Sequence, residues 1–80
     1  MSESEIIETI EESVSNYLAW TIGITDAPKR RKSEHGNPRY WRYWKADTET
    51  IARNVEKYFL DKGMKGGGGG GDHPTFVYMF

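Results

Sequence analysis

The sequence predicts one α+β domain, in which amphipathic helices cover a small three-stranded, antiparallel sheet and the elements follow the order α-β-α-β-α-β. Two long stretches carry apolar residues at helical spacing, and three short stretches have the β-branched or aromatic composition of strands. At 80 residues the chain has the length of a single domain. A domain of this size buries only about 60–65% of its unfolded surface, so we expect aromatic side chains to build a dense core.

The first amphipathic stretch predicts a helix over residues 2–18. Ser2 and Glu5 have the spacing of a capping box, and the early glutamates suit the positive end of the helix dipole. The pattern favours packing of the apolar stripe in the core over binding of a partner protein. The stripe consists of Ile6, Ile7, Ile10, Val14, Tyr17 and Leu18.

The second amphipathic stretch predicts a helix over residues 48–62, with Asp47 as its cap and Gly63 at its end. Glu56 lies beside the apolar stripe, where the pattern alone indicates a solvated glutamate paired with Arg53 or Lys57. The stripe consists of Ile51, Ala52, Val55, Tyr58 and Phe59.

The three predicted strands are residues 21–25, 40–45 and 75–80. Gly23 interrupts the first strand, which indicates a bulge or the close approach of another group. Residues 66–71 are six consecutive glycines without the lysine and hydroxyl residue that complete a P-loop. We therefore expect this run to be a flexible connection.

A short basic helix is predicted directly after the first strand. Asp26 is expected to cap it, Pro28 suits its first turn, and Gly36 is expected to end it. Such a helix holds cations beside whatever binds at the end of the strand.

The net charge of −1 hides a basic segment over residues 29–45, in which seven basic residues face one acidic residue. Basic side chains interleaved with aromatic ones can hold phosphates and stack bases, so DNA or RNA is the expected partner. The alternative is that the aromatic side chains form core and the arginines cover it. The predicted nucleic-acid contacts are Lys29, Arg30, Arg31, Lys32, Arg39, Arg42 and Lys45.

Residues 22–36 read I-G-I-T-D-A-P-K-R-R-K-S-E-H-G, which resembles the second half of the GIY-YIG nuclease signature. In that family a strand carrying Y-I-G leads into a helix with a catalytic arginine. The resemblance spans about residues 20–62 and implies a related α/β sandwich. It implies catalytic roles for Arg31 and His35, and it makes Glu56 the ligand of a Mg²⁺ ion. Thr21 stands where the tyrosine of Y-I-G would be, and no G-I-Y strand precedes it.

These patterns leave three functions open. The first is a non-catalytic GIY-YIG-like domain that binds nucleic acid through the basic segment. The second is an active metal-dependent nuclease that uses Arg31, His35 and Glu56. The third is a protein-interaction module without a nucleic-acid role. The missing tyrosines favour the first function over the second, unless the fold brings another tyrosine, Tyr78 above all, within hydrogen-bond reach of Arg31.

The composition excludes several other classes of protein. The chain has no cysteine, so it has neither a disulfide framework nor a thiolate metal site. It also has no apolar run of membrane-spanning length and no signal peptide, so we expect a cytoplasmic protein without a membrane partner.

Overall fold

A computed structural model describes the backbone of residues 1–80 and the surroundings of every residue except 69 and 70. Within this description, no helix is both long enough and apolar enough to cross a bilayer. The helices are α1 (Glu3–Ser13), α2 (Pro28–Glu34) and α3 (Glu49–Asp61), with a 3₁₀ turn at Tyr17–Ala19. The strands are β1 (Thr21–Thr25), β2 (Arg42–Lys45), β3 (Lys65–Gly70) and β4 (Phe76–Met79).

The α+β class is confirmed, but the details of the sheet are not as predicted. Over the described chain the sheet has four strands in the order β2-β4-β1-β3. Strand β4 runs antiparallel to both β1 and β2, whereas β3 runs parallel to β1. The three-stranded antiparallel prediction is therefore wrong, and so is the element order, because β3 adds a strand between α3 and β4.

The topology places α2 and α3 on opposite faces of the sheet. The connection from β1 through α2 to β2 moves one way across the sheet, and the connection from β2 through α3 to β3 moves back. Since crossovers between parallel strands are almost always right-handed, two crossovers in opposite directions put their helices on opposite faces. As a result α2 covers one face alone, while α1 and α3 cover the other.

The larger core, which is mainly aliphatic, lies between the sheet and the pair α1 and α3. Ile22 and Ile24 of β1 and Val77 and Met79 of β4 point into it, as the alternation of strand side chains requires. Both helices contribute the stripes that the sequence predicts, with one exception. Leu18 is 70% exposed, because α1 ends at Ser13 and the chain then leaves the helical register. The helical core residues are Ile6, Ile10, Val14, Ala52, Val55 and Phe59.

The capping box of α1 is present, but the other two predicted caps are each one residue too early. Ser2 Oγ accepts a hydrogen bond from the N–H of Glu5 at 3.2 Å. The N-cap of α3 is Thr48, because Asp47 instead accepts a hydrogen bond from the amino group of Met1 at 2.9 Å.

Helix α2 begins after Ala27, which makes no side-chain capping bond. Asp26 is not its cap, since the Asp26 carboxylate instead accepts a hydrogen bond from Arg30 Nη2 at 3.1 Å. Helices α2 and α3 end next to Gly36 and Gly63, as predicted.

The glycine run is not a connection but most of strand β3. Lys65 and Gly66 pair with Thr21 and Ile22 of β1, and the register then shifts by one residue at a bulge. Gly68 at this bulge has a φ of +69°, a left-handed conformation that favours glycine. Strand patterns are recognised through side chains, and a glycine run has none. The backbone hydrogen bonds that make β3 a strand come from β1, which is distant in sequence.

Alanine substitutions at two neighbouring glycines should have opposite outcomes. A Cβ atom on Gly67 would overlap the hydroxyl group of the buried Tyr78 side chain, whereas one on Gly66 would lie 3.5 Å from Leu60, an ordinary contact. We expect Gly67→Ala to lower the free energy of unfolding by about 2 kcal/mol. Gly66→Ala should leave it unchanged or raise it by up to about 1 kcal/mol, because alanine restricts the unfolded chain. Urea unfolding measures both, and equal effects would contradict the packing of β3 described here.

Candidate functional site

The site on the α2 face of the sheet is built around Tyr78 of β4. The side chain is completely buried, with 0% of its surface exposed. Its ring lies across Gly23, its partner residue on β1, and its hydroxyl group extends to Gly67 of β3. A Cβ atom on either glycine would overlap Tyr78. The close approach predicted at Gly23 is therefore made by the Tyr78 side chain.

The hydroxyl group of Tyr78 has three hydrogen-bond partners. It donates to the carbonyl oxygen of Gly68 at 3.1 Å, and Arg31 Nε donates to it at 3.5 Å. His35 Nε2 lies 3.1 Å from the same oxygen. A phenol has a single hydrogen, so if that hydrogen is directed at Gly68, Nε2 of His35 must carry the hydrogen of its own bond.

Arg31 connects α2 to both β3 and β4. Its Nη2 donates to the carbonyl oxygen of Gly67 at 2.9 Å, and its Nη1 donates to Glu34 at 3.0 Å. The hydrogen bonds to Tyr78 and Glu34 raise the pKa of Arg31. The β3 bulge contributes to this arrangement because it turns the carbonyls of Gly67 and Gly68 towards the site.

Aromatic rings complete the layer between α2 and the sheet. Trp41 stacks on Tyr78 with ring centroids 4.7 Å apart, and His35 lies 4.8 Å from Phe80. The indole Nε1 of Trp41 is buried and has no hydrogen-bond partner among the residues that the structure describes. The α2 face thus has a small core of its own, which is aromatic where the opposite core is aliphatic.

The state of the Tyr78 hydroxyl follows from its burial. Burial raises the pKa of Tyr78, and the hydrogen bond and charge of Arg31 oppose this effect only in part. The group is therefore a neutral phenol at neutral pH, enclosed by protein and fully engaged in hydrogen bonds. Arg31 of α2 and His35, the C-cap residue of the same helix, both contact this hydroxyl group and hold the tyrosine in place.

Glu56 lies on α3, on the other side of the sheet. Burial raises its pKa, and the nearby Arg53 opposes that effect. Its charge also contributes to the raised pKa of Tyr78. Among the described residues there is no group of three or more Asp, Glu, His or Cys side chains that could hold a metal ion. One carboxylate whose ionisation is disfavoured does not fit a resident Mg²⁺, and we assign no catalytic step to a metal.

Six of the seven predicted nucleic-acid contacts lie on or beside the α2 side of the sheet, and we call them the basic face. Arg42 does not belong to it, because side chains alternate along β2. Arg42 instead donates to Ser13 of α1 at 2.8 Å and lies over the ring of Trp44. The basic face consists of Lys29, Arg30, Arg31, Lys32, Arg39 and Lys45.

Two exposed tyrosines accompany the basic face. Tyr40 is 68% exposed and lies beneath the guanidinium group of Arg39, and Tyr43 on β2 is 44% exposed. Tyr43 meets Phe76 of β4 edge-on, with ring centroids 5.9 Å apart. The ammonium group of Lys45 lies over the Phe76 ring, 5.8 Å from its centre.

Tyr43 and Phe76 form one wall of a cleft of about 500 Å³ between the sheet and the first turn of α2. Sequence reasoning missed this cleft, because its two walls are more than ten residues apart in the chain. The alternation along residues 40–45 was the available signal, since it predicts that Tyr43 shares a face with Trp41. The remaining lining residues are Asp26, Ala27, Pro28, Lys29 and Arg30.

Comparison of the chain with protein-family models, with curated proteins and with solved structures gives no match. The resemblance of residues 22–36 to the GIY-YIG signature therefore remains a hypothesis that depends on those residues and on the geometry around them.

Removal of the Tyr78 hydroxyl should destabilise the fold. Tyr78→Phe leaves the carbonyl of Gly68 and the donors of Arg31 and His35 without their partner, and we expect it to cost about 1–3 kcal/mol. Tyr40→Phe is the matched control, because Tyr40 is exposed, and it should change stability by less than about 0.5 kcal/mol. Chemical denaturation at neutral pH measures both, and equal effects would contradict the network.

The same pair of variants tests the pH dependence of stability. The pKa of Tyr78 is higher in the folded protein than its ordinary value of 10.0. The contribution of the neutral Tyr78 hydroxyl to the free energy of unfolding is therefore fully present below about pH 10. It is lost as the pH rises through the pKa of Tyr78 in the folded protein. Stability should fall less steeply above pH 10 in Tyr78→Phe than in the wild type or in Tyr40→Phe.

Proposed function

We propose that this chain is a non-catalytic GIY-YIG-like domain that binds nucleic acid through the basic face. The observation that carries the proposal is the position of Tyr40 and Tyr43, two exposed tyrosines beside the cations of α2 and β2. Binding of a single-stranded nucleic acid combines two components. Cationic side chains contact the phosphate backbone, and aromatic rings stack on the bases.

The distribution of charge supports this proposal. The basic face joins six cationic side chains, and the acidic residues next to it in the chain are Glu34, within the basic segment, and Asp26, just before it. Helix α1 covers the opposite face of the sheet and carries Glu3, Glu5, Glu8, Glu11 and Glu12. A polyanion would therefore be attracted to one side of the domain and repelled from the other.

The ion pairs on the basic face do not prevent phosphate binding. Arg30 pairs with Asp26 at 3.1 Å, and Arg31 pairs with Glu34 at 3.0 Å. Exposed pairs of this kind contribute about 0–1 kcal/mol, so a phosphate can compete for Arg30. Lys29, Lys32 and Lys45 form no ion pair with the described acidic residues.

The position of β4 supports the family resemblance. No G-I-Y strand precedes β1, but β4 pairs antiparallel with β1, which carries the T-I-G sequence. Tyr78 of β4 lies opposite Gly23 of that sequence. A tyrosine on a strand beside the Y-I-G-like strand, within reach of Arg31, fits a relative of the family whose strands are connected in a different order.

One observation favours the active nuclease as a second candidate. Tyr78 lies within hydrogen-bond reach of Arg31, which is the condition set by the sequence for a replacement tyrosine, and it also contacts His35. Against it stand the complete burial of Tyr78, its raised pKa and the isolated position of Glu56. A nucleophile or base must contact the substrate, and the network would have to open for Tyr78 to do so.

The binding function is tested with two double variants of equal charge change. Lys29→Ala with Lys32→Ala removes two cations from the basic face, and Arg53→Ala with Lys57→Ala removes two from α3. Fluorescence anisotropy with short single-stranded DNA and RNA measures affinity over a range of salt concentrations. We expect the first variant to weaken binding about tenfold and to reduce the salt slope by about 2, because released counterions contribute to the affinity.

The second double variant should bind like the wild type. Equal weakening by both variants would mean that only net charge matters, and it would contradict a specific face. A wild type that does not bind at low salt would leave the protein-interaction module as the function.

Catalysis is tested by plasmid nicking with Mg²⁺ or Mn²⁺. We expect no metal-dependent cleavage by the wild type, because the Tyr78 phenol is enclosed and neutral and Glu56 stands alone. The comparison variant is Glu56→Gln, which keeps the size of the side chain. Cleavage by the wild type that requires the metal and is absent from Glu56→Gln would establish the nuclease instead.

A further inference from the structure

The cleft between α2 and the sheet has the composition of a nucleotide site. Its apolar lining is formed by Tyr43, Phe76, Ala27 and Pro28. Its charged lining is formed by Lys29, Arg30 and Asp26, and Asp26 pairs with Arg30 at 3.1 Å. Its volume of about 500 Å³ lies within the range of small-molecule sites. From this geometry we propose that the cleft takes one unpaired base of a single-stranded nucleic acid, with the phosphate of that nucleotide on the cations at the rim. The inference rests on the proposed function.

The aromatic wall suits the flat face of a base. Tyr43 is only 44% exposed, because Phe76 supports it edge-on from below. A ring held in this way loses little conformational freedom when a base stacks on it. Pro28, in the first turn of α2, lies on the other side of the cleft and offers a second flat apolar surface.

The cations at the cleft suit a phosphate at its rim. Lys29 and Arg30 line the cleft on the helix side, and Lys45 lies over Phe76 on the strand side. A nucleotide whose base enters between Tyr43 and Pro28 would therefore have positive charge on both sides of its backbone. This complementarity distinguishes the cleft from an apolar groove of unknown occupant.

The surroundings of the cleft indicate a strand rather than a free nucleotide. Positive charge continues from the cleft along α2 to Lys32 and on to Arg39, which covers Tyr40. A helix of seven residues is about 10 Å long, so the positive charge along it extends beyond the cleft. A paired base cannot leave its stack at no cost, so the occupant is an unpaired base.

The test compares variants at one position. Tyr43→Leu removes the ring but keeps an apolar side chain, and Tyr43→Phe keeps the ring. Each protein is titrated with a single-stranded DNA, with an abasic strand of the same length, with the corresponding duplex and with a nucleoside monophosphate. Unfolding midpoints of the variants confirm that each is folded under the conditions of binding.

For the wild type we expect the intact strand to bind about tenfold more tightly than the abasic strand, because stacking contributes only to the former. Tyr43→Leu should lose this difference and bind the abasic strand as the wild type does, whereas Tyr43→Phe should keep it. The duplex should bind equally tightly to the wild type and to Tyr43→Leu, because its bases stay paired and cannot enter the cleft. The monophosphate should bind more weakly than the intact strand.

Three outcomes would overturn the inference. If intact and abasic strands bind equally tightly and with the same salt sensitivity, the cleft does not bind a base. The proposed binding of nucleic acid by the basic face would still hold. If the monophosphate binds as tightly as the intact strand, the ligand of the cleft is a free nucleotide and not a strand. A wild type that binds none of these probes at low salt would overturn the proposed function and the inference together.

Discussion

The fold on the α2 side depends on one packing interaction, in which the Tyr78 ring lies flat across Gly23 and reaches Gly67. A large side chain can cross two neighbouring strands only if both have a glycine beneath it. The interaction brings the hydroxyl group to β3, where it binds Gly68, and to α2, where Arg31 and His35 bind it. One side chain thereby joins the three strands β4, β1 and β3 and the helix α2.

The contacts between Tyr78 and α2 also explain why this helix can be short and basic. Helix α2 has seven residues and no completely buried side chain, so apolar burial alone would hold it weakly. Hydrogen bonds from Arg31 and His35 to the sheet supply what an apolar stripe supplies for α1 and α3. Lys29 and Arg30 are consequently exposed to solvent, and Lys32 is partly exposed.

The two crossovers give the two faces of the sheet different environments. Because α2 and α3 lie on opposite faces, the aliphatic core and the aromatic, basic side do not compete for the same side chains. The acidic helix α1 belongs to the core side, and the exposed tyrosines belong to the other. The domain is therefore electrostatically polarised although its net charge is only −1.

Much of this architecture is predictable from local sequence. The capping box at Ser2, strand β1 over Thr21–Thr25, the end of α2 at Gly36 and most of both apolar stripes depend on neighbouring residues, and the structure confirms them. The predictions that failed concern residues whose structural role depends on a contact with a residue distant in the sequence. Asp47 does not cap α3 because the amino group of Met1 binds it.

What the sequence by itself determined is the α+β class, the amphipathic helices and the presence of a strand that leads into a basic helix. Only the tertiary structure decided the role of those residues whose side chains indicate no structure, or more than one, when the sequence is considered alone. Six glycines have no pattern to recognise, so β3 exists because β1 binds its backbone and Tyr78 covers it. Tyr43 becomes part of a cleft only when β4 brings Phe76 beside it, because contacts between distant segments are set by the packing of the whole chain.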